Sequence, residues 1–182
     1  CTGAIIATTT TVLPITAQGT TVVTWTYEDA NGNISTQTQN VVITDTTAPV
    51  ADVAALADET AQCSVDSLTA PTATDNCTGA IIATTTTVLP ITAQGTTVVT
   101  WTYEDANGNI STQTQNVVIT DTTAPVADVA ALADETAQCS VDSLTAPTAT
   151  DNCTGAIIAT TTTVLPITAQ GTTVVTWTYE DA

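Results

Sequence analysis

The stretch "GTTVVTWTYEDANGNISTQTQNVVITD" (residues 95–121) decides the fold. Two runs that alternate between apolar and polar residues flank Ala106-Asn107-Gly108-Asn109. Alternation of period two is the pattern of a half-buried strand. In the first run, 95–105, Val99, Trp101 and Tyr103 fall on one face, and Val98, Thr100 and Thr102 on the other. An Asn-Gly between two such runs is a strong hairpin signal, because both residues tolerate positive φ. The second strand is then 110–121.

Further out, the same strand type recurs. "TGAIIATTTT" (78–87) reads as a strand that ends at a turn near Leu89-Pro90. "VADVAAL" (50–56) and "TAQCSVDS" (60–67) supply one or two more. Threonine, valine and isoleucine dominate these runs, and their branched Cβ atoms suit a pleated sheet. Six or seven short strands with frequent turns and no helical periodicity predict an all-β chain of antiparallel sandwiches.

The hairpin occurs more than once. Residues 1–76 and 77–152 are identical, and 153–182 repeats 1–30, so the period is 76 residues. That is long for a solenoid coil and suits a small β-domain. The boundary is placed at "TDTTAPVAD" (44–52), where a proline stops the ladder. Residues 49–124 are then one complete copy, 1–48 the C-terminal part of the copy before, and 125–182 the N-terminal part of the copy after. So short a junction containing proline predicts a semi-rigid extended array. The broken copies suggest a window cut from a longer chain.

Composition restricts the chemistry. The chain has eighteen acids and no Lys, Arg or His, for a formal charge of −18. Nucleophile–histidine systems, Schiff bases and lysine phosphate cradles are therefore absent. Nothing can neutralise nucleic-acid phosphates, which excludes nucleic acid as a partner. An anionic membrane surface would repel the chain, and no apolar run approaches the roughly eighteen residues of a membrane span, so direct insertion is not expected. Adjacent acids such as Asp58-Glu59 and Glu104-Asp105 make poor glycosidase pairs, so no enzyme is expected. Apolar residues are 43% of the chain, enough for a core despite the charge.

The cysteines point to an oxidising compartment. Each complete copy carries two, Cys63 and Cys77, then Cys139 and Cys153. Bridges kept inside one copy would be Cys63–Cys77 and Cys139–Cys153, whereas Cys77–Cys139 would cross the boundary. Cys1 would pair with a cysteine upstream. The alternative is two buried free thiols per copy. Zinc is not expected without His or a Cys-x-x-Cys spacing.

"APTATDNCTGAI", "GTTVVTWTYEDANGN" and "NVVITDTTAP" together resemble the hyalin repeat (HYR), an immunoglobulin-like adhesion module. Pro71, Asp75, Cys77, Gly95, Val98, Asp105, Gly108, Asn109, Asp121 and Pro125 take the places of that pattern. Many such modules carry a further cysteine after the hairpin, where this chain has Gln113 and Gln115. Acidic tandem copies also resemble the giant surface adhesins of Bacteroidetes that are exported by type IX secretion and serve gliding motility. The resemblance implies an extracellular filament module. Its partners would be neighbouring repeats, with an external surface or glycan bound through another part of the protein.

Two site readings remain. Asp29, Asn31 and Asn33 are spaced like the opening of a calcium loop, but Asn40 stands where such a loop needs its closing acid. Against calcium stands a simple hairpin turn. Asp45 and Asp52 at the junction are candidates for a second calcium position, because eight acids per period lack any internal counter-charge. No cofactor is required. "DSL" (66–68) and "DTT" (45–47) resemble Bacteroidetes O-glycosylation sites, which marks Ser67 and Thr46 and, one period on, Ser143 and Thr122.

Overall fold

The computed structural model describes residues 3–181; Cys1, and with it the pairing expected for Cys1, lies outside them. Among the described residues every regular element is a strand. No helix among the described residues is long and apolar enough to cross a membrane. The strands are β1 (Gly19–Glu28), β2 (Ile34–Ile43), β3 (Val50–Ala51), β4 (Glu59–Ala61), β5 (Thr72–Asp75), β6 (Gly79–Ile82), β7 (Gly95–Glu104), β8 (Ile110–Ile119), β9 (Val126–Ala127), β10 (Thr148–Asp151) and β11 (Gly155–Ile158). The fold class is all-β, as the alternation predicted, with the antiparallel sheets that an immunoglobulin-like sandwich uses.

Two compact units divide the chain. The first comprises the chain up to Ala54, Pro71–Thr84 and Thr102–Thr112. It contains the β1–β2 hairpin, paired in register from Gly19 opposite Ile43 to Glu28 opposite Ile34. It also contains the antiparallel sheet β3-β5-β6 and the turn end of the β7–β8 hairpin. Its interior includes Val23, Ala73, Ile81, Ala83 and Tyr103.

The second unit comprises Ala55–Ala70, Thr85–Trp101 and the chain from Gln113 onward. Here β4 pairs parallel to β8, with Glu59 opposite Val117 and Ala61 opposite Ile119. Gln115 donates to the Ala57 carbonyl at 3.0 Å and Asn116 to Asp58 at 3.1 Å, which ties the approach to β4 onto β8. The antiparallel sheet β11-β10-β9 completes the unit. Val65, Ile91, Val99, Trp101, Val117, Ile119, Ala149 and Ile157 are buried.

The faces of β7 follow the alternation. Val99, Trp101 and Tyr103 are 0%, 3% and 1% exposed, while Val98 is 58% exposed. Each fully buried aliphatic side chain stabilises by about 1.5–3 kcal/mol relative to an exposed one. The Trp101 indole N–H donates to the Gln115 side-chain carbonyl at 3.1 Å, so the ring is buried without an unsatisfied donor.

The shorter strands differ from expectation. The run 78–87 is a strand only over Gly79–Ile82, after which Thr84 exchanges two backbone hydrogen bonds with Thr102. The runs 50–56 and 60–67 shrink to Val50–Ala51 and Glu59–Ala61. β5, Thr72–Asp75, was not read as a strand from the sequence, although its alternation TATD buries Ala73 and Asp75.

Candidate functional site

Each hairpin turn is organised by its own aspartate. In residues 105–109 the Asp105 carboxylate accepts hydrogen bonds from the backbone N–H groups of Asn107 and Asn109, both at 2.8 Å, and from the Asn109 side-chain amide at 2.7 Å. Gly108 has φ of 84°, a left-handed conformation that costs other residues strain. The turn at Asp29–Asn33 is built the same way. Asn31 and Asn33 donate backbone N–H groups to Asp29 at 2.9 Å, and the Asn33 amide donates at 2.8 Å. The three residues named as calcium candidates do come together, with the two asparagines acting as donors to the carboxylate. These bonds, led by the Asn33 side chain, hold the Asp29 carboxyl below its ordinary value. For Asp105 desolvation acts upward, but the bonds from Asn109, Asn107 and Gly108 outweigh it and the net direction is also down.

The first unit gathers a second carboxylate set. Asp45, Asp75 and Asp105 are all buried, and each presents an atom within 4.8 Å of the others'. Asp45 follows β2, Asp75 ends β5, and Asp105 opens the β7–β8 turn. Local turn chemistry fixes each one. Asp45 accepts from the Thr47 N–H at 3.0 Å, and Asp75 accepts from the N–H groups of Cys77 and Thr78 at 2.9 and 2.8 Å. The Asn109 side-chain amide joins two of the segments, donating to the Asp45 carbonyl at 3.3 Å as well as to Asp105. Of the junction pair read from the sequence, only Asp45 belongs to this set. Asp52 stands apart, its two carboxylate oxygens accepting from the hydroxyls of Thr72 and Thr74, the latter at 2.7 Å. Sequence reasoning missed Asp75, and it named Asp29 but not its counterpart Asp105. Their burial was the missing signal.

The Cys77 thiol lies beside this set. Desolvation, followed by the negative charges of Asp45, Asp75 and Asp105, pushes it above its ordinary value.

The structure overturns both expected disulfides, Cys63–Cys77 and Cys139–Cys153. The bridge is Cys63–Cys153, 90 residues apart in sequence, with Cα atoms 4.9 Å apart. Cys77 and Cys139 are exposed free thiols. The reason is topological. Cys63 follows β4, in the sheet of β8 and β7, whereas Cys77 sits in the β5–β6 turn of another sheet and another unit. The equivalent turn that reaches Cys63 is the β10–β11 turn of the next sequence copy, which carries Cys153. Asn152 caps this bridge, donating to the sulfurs of Cys63 at 3.3 Å and Cys153 at 3.1 Å and to Gln62 at 3.1 Å. The possible modification sites Thr46, Ser67, Thr122 and Ser143 are all exposed.

Residues 51–120 match the family model described as an HYR-like domain with 4 cysteines. The matched residues contain two cysteines, Cys63 and Cys77, so half of that set is missing within the match. The chain is also 39% identical over 184 aligned residues to a protein named Hyalin from Lytechinus variegatus, covering 90% of this chain and 34% of that protein. A protein named Hyalin from Strongylocentrotus purpuratus is 40% identical over 160 residues, covering 77% of this chain and 13% of its own length. The chain thus spans about a third or less of the curated relatives it matches. Residues 51–120 are similar in sequence to a hyalin-repeat domain.

Proposed function

We propose that this chain is a structural and adhesive segment of an extracellular, cell-surface filament built from tandem hyalin-type repeats. The carrying observation is the Cys63–Cys153 bridge, which ties the complete sequence copy covalently to residues of the following copy. Such a bridge suits an oxidising, extracellular location and a chain that bears load along its length. The complete copy also buries the two aromatic side chains, Trp101 and Tyr103, that a lateral glycan- or protein-binding face would have to display. Adhesion would then reside in another part of the protein, with these repeats contacting chiefly one another. The finer reading is a SprB-type gliding-motility adhesin moved by the cell's motor and exported by type IX secretion; it rests on sequence likeness alone. Immunogold labelling of intact cells tests the broader reading. Label on external fibres is the expected result, and label confined to the cell interior would refute it.

A further inference from the structure

We propose that Asp45, Asp75 and Asp105 form a calcium-binding site. Three carboxylates converge in a buried position, and the chain has no Lys, Arg or His anywhere that could offset them. Bringing like charges together away from water is costly unless an opposite charge joins them. The hydrogen bonds point the same way. Asp45 and Asp75 are only 6% and 4% exposed, and the Oδ2 atom of each is buried without a hydrogen-bond partner. In both residues it is Oδ1 that satisfies local backbone N–H groups, which leaves the second oxygen for something outside the chain. An orphaned acceptor of this kind is rare in a folded interior.

The spacing fits one ion. Oxygens bound to a single calcium at about 2.4 Å lie no more than about 5 Å from one another. The three ligand atoms here satisfy that limit. The donor set is made only of hard oxygen, with no imidazole and no thiol in the group, which selects calcium or magnesium over zinc or copper. Calcium is favoured over magnesium because it accepts ligands held in irregular protein geometry and sheds its water more readily.

The next copy repeats the motif in part. Asp151, at the place of Asp75, is 4% exposed and also leaves Oδ2 without a partner. Asp121 stands with it, but the third atom of that group is the sulfur of Cys153, which is engaged in the disulfide. One complete carboxylate set is therefore expected to bind per chain. Asp45 precedes the Pro49 boundary while Asp75 and Asp105 follow it, so the ion would fasten segments from both sides of the boundary.

The test is calorimetric titration of the chelator-stripped 182-residue chain with calcium chloride, with magnesium chloride in parallel. The expected result is one calcium per chain, with a dissociation constant in the submillimolar to millimolar range typical of extracellular modules, and weaker magnesium binding. Asp75→Asn keeps the oxygen that accepts from Cys77 and Thr78, and should weaken calcium by at least about tenfold. Asp45→Asn provides a second variant if Asp75→Asn does not fold by circular dichroism. Asp52→Asn should bind as the parent does. Calcium should raise the melting temperature of the parent and of Asp52→Asn, but not of Asp45→Asn. Absence of both heat and melting shift in the parent overturns the proposal. So does equal binding by the folded cluster variants, or magnesium binding as tightly as calcium.

Discussion

Asp29 and Asp105 occupy the same place in identical stretches of sequence and build the same turn, yet among the described residues only Asp105 belongs to an acidic cluster. A residue's role here comes from the segments that fold against it. At this scale two outcomes can be stated. Gly108→Ala would meet no atom within 4 Å, so its cost is purely that of a left-handed backbone. It should lower stability by about 1 kcal/mol, read by urea unfolding. The second concerns pH. Hydrogen bonds from Thr72 and Thr74 hold Asp52 below its ordinary value of 3.8, and those from Thr148 and Thr150 do the same for Asp128. Because the folded values are depressed, this stabilisation is present above 3.8 and is lost as pH falls through the folded values. Asp52→Ala should therefore reduce stability more at pH 7 than in acid below the folded value, as followed by circular dichroism. An equal loss at both pH values would show that the carboxylate charge is irrelevant.

At the scale of the strand, β7 and β8 were legible, β3 was read too long as 50–56, and β5 was missed. Ten residues of alternation with Asn-Gly between them specify a hairpin and its inward face. A strand of two or four residues, such as Val50–Ala51 or Thr72–Asp75, is too short for periodicity to register. These strands exist because neighbouring strands offer them ladder partners, and the sequence of the strand alone does not contain that information. The inward face of β8 makes the contrast measurable. Ile119→Ala empties a fully buried position and should cost about 2–5 kcal/mol, while Val98→Thr on the exposed face of β7 should change stability by less than about 0.5 kcal/mol. Comparable losses from the two would show that β8 does not bury this face and β7 does not expose the other.

For the whole molecule, the disulfide partner was the least legible feature. Pairing by nearness in sequence assumed that each copy closes on itself. The chain instead brings the turn of the next copy to Cys63, and loop length hardly opposes this, since each doubling of a loop costs only about 0.6 kcal/mol in closure entropy. The Asp45–Asp75–Asp105 set escaped sequence reading for the same reason, being drawn from three separate segments. Restricting the denatured chain over 90 residues should contribute about 4–5 kcal/mol in the chain-entropy account, against roughly 3 for a bridge of fifteen. Cys63→Ser should show this loss in denaturant unfolding. Non-reducing peptide mapping after cleavage at acidic residues, necessary because trypsin has no site, should recover Cys63 joined to Cys153. Recovery of Cys63 with Cys77 would refute the assignment.

The length of that bridge has a consequence for damage. Any single break of the backbone between Cys63 and Cys153 leaves the two fragments held together by sulfur. The loop, at 90 residues, is longer than the 76-residue period. If the bridge recurs once per period in a longer chain, successive loops overlap and no peptide bond within the series falls outside all of them. One protease cut would then nick such a fibre without parting it. A second cut within the same loop would excise only the peptide between the two cuts while the bridge still joined the outer fragments, whereas a reductant would part a fibre already cut.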